Sequence, residues 1–236
     1  MCRILAVNSA APIESSRFRD FPQLCSKSSC GPHKDGWGLT SVVDGAPSHL
    51  GRESKAADAA DSGWSTALAA LDASKPTGTV IAHIRSASVG DIRLENTQPY
   101  IHAPWAFAHN GTIRNFDSPT AWPMEGDSDS ERYFKIVVPH LEMGQPPVVA
   151  IAKAMREVRG RDHTSLTCVF SDGPRMFAIH DSKKPEEHGL QFASHEGAIV
   201  VAQEPLFQAH WRAVENQHVL IAEHGRLKGV LPLFRL

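Results

Sequence analysis

Short apolar runs divide the chain into candidate strands. The first, Cys2–Asn8 (CRILAVN), is apolar and β-compatible and stops at Ser9-Ala10-Ala11-Pro12, which predicts a short buried strand. From Pro12 to Lys34 there is no period and much Ser, Pro and Cys, so this stretch reads as a loop holding no more than a helical turn. Trp37–Val43 (WGLTSVV) predicts a second strand, Asp44-Gly45 a hairpin, and Ser48–Glu53 its partner. Alanine and leucine at helical spacing predict a helix over Ser62–Ala73, ended by Pro76-Thr77-Gly78 before the β-branched run Thr79–Ile84. Arg85–Pro99 is a loop of mixed polarity, and Trp105–His109 a strand running into Asn110-Gly111. Ser128–Leu141 predicts a helix, with Ser128 and Glu131 at capping-box spacing and an apolar face of Tyr133, Phe134, Ile136, Val137 and Leu141. A second helix, Val148–Val158, is closed by Gly160. Strands alone follow: Ser165–Phe170, Met176–His180, Leu190–Ser194, Ala198–Ala202, His218–Ala222 and Val230–Phe234. Strands on both sides of two consecutive helices predict one α+β domain, residues 2–236, of two packed sheets flanked by helices.

Composition narrows the function classes. A hydrophobic content of 42% and a charged content of 21% over 236 residues fit a soluble globular protein. The net charge of -2 leaves no basic excess to neutralise phosphates, which argues against nucleic acid as the main partner. No apolar run is long enough to span a bilayer, so no membrane partner is expected, and the N-terminus lacks a signal-peptide pattern. Four cysteines do not suggest a disulfide framework, and a cytoplasmic location fits best.

Chemistry enters at Met1-Cys2-Arg3. Cys2 has a small side chain, so removal of Met1 is expected, and Cys2 then carries a thiol and a free α-amine together. The amine titrates at roughly 7.7–8.0 and a thiol at about 8.5, which puts a nucleophile and a base on one residue. The alternative is a small apolar filler of the first strand. His33-Lys34-Asp35-Gly36-Trp37-Gly38 is a glycine-rich entry to the second strand, fitting either a tight turn or a close backbone approach. In His83-Ile84-Arg85 the two polar side chains share one side of the strand, and Arg85 could grip a carboxylate through paired N–H groups. Alone, they read as a structural histidine and a surface arginine. Asn110-Gly111 fits a hairpin turn, or an amide and a backbone N–H aimed at one developing oxyanion.

Taken in order, MCR, HKDGWG, HIRSAS with NTQPY after it, FAHNG and GDSDSE resemble the glutaminase domain of class II glutamine amidotransferases, which are N-terminal nucleophile (Ntn) hydrolases. The similarity is greatest to free-standing members with an HxDGWG signature, some of which hydrolyse γ-glutamyl compounds. The resemblance implies a four-layer αββα sandwich of two antiparallel sheets flanked by helices. It implies that Cys2 is the nucleophile with its amine as base, and that Asn110 and Gly111 form the oxyanion hole. Arg85 would hold the substrate α-carboxylate, Asp129 its α-ammonium, and Ser86, Ala87 and Ser88 would line the pocket. The substrate would be a small molecule: glutamine, giving glutamate and ammonia through a thioester, or another γ-glutamyl amide of the ergothioneine- or glutathione-pathway type. No cofactor and no metal is implied. A separate synthase subunit would receive any ammonia, since the glutaminase fold uses up the chain. The leaving-group pocket is expected between the Pro12–Lys34 and Ser86–Pro99 loops. Gln98 departs from the pattern, standing where such chains usually have histidine. Two other classes stay open: a metal-binding module on Cys25, Cys30 and His33, whose spacing is not that of a regular zinc site, and a catalytically silent synthase partner.

Overall fold

The apolar runs pair into two antiparallel sheets in a computed structural model that describes residues 2–27 and 32–234. The strands are β1 (Arg3–Ser9), β2 (Trp37–Val43), β3 (Ala46–Glu53), β4 (Gly78–Ile84), β5 (Tyr100–His102), β6 (Trp105–Asn110) and β7 (Thr167–Ser171). After them come β8 (Arg175–His180), β9 (Leu190–His195), β10 (Ala198–Ala202), β11 (Arg212–Val214), β12 (His218–Glu223) and β13 (Arg226–Pro232). Among the described residues the first sheet runs β11-β9-β10-β1-β4-β2-β3 and the second β13-β12-β8-β7-β6-β5. The helices are α1 (Leu24–Lys27), α2 (Trp64–Ser74), α3 (Asp129–Glu142), α4 (Pro147–Arg159) and α5 (Pro185–His188).

Alternation of side chains along each strand produces the layers. Every residue of β1 is buried because both of its faces are covered. Leu5 and Val7 pack with Trp64, Ala67 and Leu71 of α2. Ile4 and Ala6 face the other way and meet Ala106, Ala108, Val169 and Ala178 of the second sheet. The outer face of that sheet, with Phe107, Phe170 and Ile179, packs on Phe134, Val137, Ile151 and Met155 of α3 and α4. The order is therefore helix, sheet, sheet, helix pair. Each aliphatic or aromatic side chain so buried contributes about 1.5–3 kcal/mol.

Several sequence expectations need correcting. The Pro12–Lys34 stretch holds two 3-10 turns, Ser15–Arg17 and Phe21–Gln23, as well as α1. Phe18, Phe21 and Leu24 recur every third residue and bury against the outer face of the first sheet, an apolar spacing that the surrounding Ser and Pro obscure. Asn110-Gly111 is not a hairpin turn, because β6 pairs with β5 and β7 and the chain leaves the sheet after Asn110. The capping box at Ser128 is half-formed. Ser128 Oγ accepts from Glu131 N at 3.1 Å, but the Ser128 N–H is already given to Asn96 Oδ1. The Glu131 carboxylate accepts instead from the N–H groups of Glu125 and Gly126, each at 2.7 Å.

Candidate active site

The start of β1 and the ends of β4 and β6 meet at one edge of the sandwich. Arg3 lies opposite Ile84 in the β1–β4 register, which puts Cys2 beside the chain leaving β4. Cys2 is buried, and its Sγ accepts from Ser86 N at 3.4 Å and donates to Ser86 O at 3.6 Å. Burial pushes the thiol above its usual range, while the Ser86 hydrogen bond and the Arg85 charge oppose that shift. A thiol so placed rests protonated and needs a base to become a nucleophile.

Cys2, Ser86, Ala87, Ser88, Asn110, Gly111 and Thr112 enclose a cavity of about 60 Å³. That equals roughly two water molecules at their share of liquid volume, and suits the tip of an amide-bearing side chain. Across it from Cys2 stands Asn110, 1% exposed, whose Oδ1 and Nδ2 have no hydrogen-bond partner among the described residues. Gly111 beside it can carry no side chain: a Cβ there would lie 2.0 Å from the Ser165 carbonyl oxygen and 2.7 Å from His109 Nε2.

Arg85 and Asp129 sit behind the cavity walls and do not line it. Arg85 is buried, with Nη1 donating to Asp91 O at 2.9 Å and Nη2 to Val89 O and Gly90 O at 3.0 and 3.1 Å. The guanidinium thus winds the 86–91 loop around itself. The HKDGWG motif supports this loop from below. Gly36 O accepts from Arg85 N, Arg85 O from Asp35 N, and Asp35 Oδ2 from Ala87 N. Asp129 opens α3, where its carboxylate accepts from Ile113 N at 2.6 Å and Ser130 N at 2.9 Å. Burial pushes that carboxyl up to about 6, against these hydrogen bonds and Arg85.

Two residues that sequence reasoning gave no role complete the site. Thr112 Oγ1 meets Ser88 Oγ at 2.6 Å, joining the two walls at the cavity mouth. Arg3 donates from Nη1 to the Cys2 carbonyl at 2.9 Å and from Nε to Glu204 Oε1 at 2.5 Å. Its place next to Cys2 was the available signal. The Pro12–Lys34 segment, expected at the leaving-group pocket, supplies none of the cavity lining among its described residues. Its anchors tie it to the outer face of the first sheet, and residues 12–16 with Arg19 border a separate hollow beside Asp72 and Lys75.

His83 is fully buried with both ring nitrogens unpartnered among the described residues, and burial, then Arg85, holds its pKa well below the ordinary value. Burial likewise lowers His33 to about 4. Both are neutral at physiological pH. No three His, Cys, Asp or Glu side chains gather into a metal-binding group among the described residues, and Cys30 lies outside them. None of the described helices is long and apolar enough to cross a membrane.

The family of class-II glutamine amidotransferases matches residues 1–190, and the chain belongs to that family. A Haemophilus influenzae protein assigned to the glutamine amidotransferases is 29% identical over 193 residues, covering 75% of this chain and 62% of that protein. Escherichia coli YafJ, assigned likewise, is 29% identical over 143 residues, covering 57% of this chain and 52% of YafJ. The chain thus spans less than two thirds of either relative. Among solved structures, the glutamine phosphoribosylpyrophosphate amidotransferase of B. subtilis superimposes with a TM-score of 0.67 at 16% identity, over 98% of this chain and 49% of that one. A class-II domain protein of Silicibacter pomeroyi gives 0.67 at 19% identity, over 98% and 99%. The fold is the αββα sandwich of the Ntn hydrolases.

Proposed function

We propose that the chain is an amidohydrolase whose N-terminal cysteine cleaves the amide of glutamine through a thioester. The observation carrying this reading is the Cys2 thiol set across one small cavity from the unpartnered Asn110 amide and Gly111. With Met1 removed, the α-amine of Cys2 takes the thiol proton as sulfur attacks the amide carbon. The carbonyl oxygen becomes an oxyanion held by Asn110 Nδ2–H and Gly111 N–H. Collapse expels ammonia, protonated by the same amine, and water then hydrolyses the thioester to release glutamate. Arg85 has five N–H donors and uses three on loop carbonyls, leaving the others for the α-carboxylate. Asp129 would take the α-ammonium.

Intact-mass measurement together with assays of ammonia and glutamate release tests the mechanism. Active protein should lack Met1, and full turnover by protein that uniformly retains Met1 overturns it. A panel of γ-glutamyl amides with larger leaving groups, run beside glutamine, reports which amide is preferred.

A further inference from the structure

The second sheet ends on β5, and its β5–β6 ladder covers only Tyr100↔Phe107, Ile101↔Ala106 and His102↔Trp105. Among the described residues no strand lies beside that edge of β6 beyond Phe107. Pro99, next in line, has no N–H with which to extend a ladder. At this point the Gln98 side chain steps in: its Oε1 accepts the His109 backbone N–H at 2.6 Å, in a fully buried bond. The residue after His109 is Asn110.

Gln98 is itself firmly seated. It is 3% exposed, and its carbonyl fills the space over Gly38, where any Cβ would come within 2.3 Å of that oxygen. Just before it, Arg52 Nη1 donates to Thr97 O at 3.3 Å. Gln98 therefore lies between the two sheets, its backbone carbonyl packed over Gly38 of β2 and its side-chain oxygen bonded to the end of β6.

We propose that Gln98 is a positioning residue for the oxyanion wall: its side-chain oxygen substitutes for the missing strand and fixes the end of β6, and hence Asn110. This rests on the function proposed above. What the position requires is an acceptor facing the His109 N–H, and titration plays no part in it. A neutral imidazole offers the same pairing of one acceptor and one donor at opposite ends. Glutamine and histidine can thus both present an acceptor here, in keeping with Gln98 standing where such chains usually have histidine.

The test compares Gln98→Leu, Gln98→Met and Gln98→His with Asn110→Ala in the same turnover assay, with and without combination. Leucine and methionine remove the carboxamide acceptor, and either one suffices if the other fails to fold. We expect kcat to fall about 10- to 100-fold with KM little changed, as for a reacting geometry loosened by a fraction of an ångström. Gln98→His should restore kcat. Gln98→Leu combined with Asn110→Ala should be no slower than Asn110→Ala alone, because both act on one donor. Backbone hydrogen exchange at His109 and Asn110 should quicken in the leucine variant. An unchanged kcat, a change in KM alone, or failure of histidine to rescue overturns the inference while leaving the oxyanion role of Asn110 standing. If Asn110→Ala itself leaves kcat unchanged, the functional reading falls first.

Discussion

Two walls face each other across the Cys2 cavity, and their polar groups are treated in opposite ways. On the first-sheet side the backbone and sulfur groups at the cavity and the arginine next to them are bonded, although the His83 ring of β4 is not. Cys2 Sγ is engaged by both backbone groups of Ser86, Arg85 by three loop carbonyls, and Ala87 N by Asp35. On the second-sheet side the Asn110 amide, fully buried, uses neither its donor nor its acceptor. Leaving such a group unpaired costs about 1–3 kcal/mol per unsatisfied function, a cost that a partner bound in the cavity would relieve. On the proposed mechanism, the bonded wall would hold the nucleophile still and the unbonded wall would receive the charge that forms during reaction.

Replacing the thiol should break the comparison most completely. Cys2→Ala should reduce amide turnover to background while leaving the thermal midpoint close to wild type, since the side chain is small and its sulfur contacts are long. Residual turnover above a few per cent, as an order-of-magnitude limit, would mean another nucleophile operates. Cys25 and Cys168, buried away from the cavity, should tolerate serine without a comparable loss of chemistry.

Asn110 separates the two walls next. Asn110→Ala should lower kcat by roughly 100- to 1,000-fold, the usual effect of losing one oxyanion donor. The same change removes a buried amide with no partner, so its stability penalty should be small for so buried a position. A large fall in both kcat and thermal midpoint would instead mark Asn110 as structural.

Arg85 tests the bonded wall. Charge-assisted hydrogen bonds contribute about 1.5–3 kcal/mol, so Arg85→Ala should raise KM on the order of 10- to 100-fold. Because its guanidinium also ties down the 86–91 loop, the loop should become more accessible to protease in the variant. A kcat defect with unchanged KM would assign Arg85 to the loop alone.

The two walls also differ in how far the sequence disclosed them. Cys2, Asn110 and Gly111 were legible because each is a chemical type at a strand terminus, and β1, β4 and β6 announce themselves as apolar runs covered on both faces. The three-residue strands β5 and β11 are too short to show a period. The Phe18, Phe21 and Leu24 anchors were hidden by the residues between them. The spent bonds of Arg85, the Gln98–His109 contact and the acceptors around Asp129 could not be read at all. They depend on which loop returns to which strand, and no local pattern encodes that.

Asp129 gives the smallest effect and a distinctive one, because one group should drive two quantities in opposite directions. Its carboxyl, pushed up to about 6 by burial, stands above its ordinary value of 3.8. The folded state therefore binds this proton more tightly than the unfolded state. The stability it brings is fully present below about 4 and is lost as pH rises through about 6. Binding of an α-ammonium has the reverse requirement, an ionised carboxylate. Affinity for glutamine, measured by calorimetry on Cys2→Ala so that no turnover intervenes, should be about tenfold weaker at roughly pH 5 than at roughly pH 7.5. Over the same range the wild-type thermal midpoint should rise, relative to that of Asp129→Asn, as the pH is lowered. In Asp129→Asn the pH dependence of binding should vanish, with affinity poor throughout. Equal glutamine affinity at both pH values would remove Asp129 from the ammonium site, even if its effect on stability were as expected.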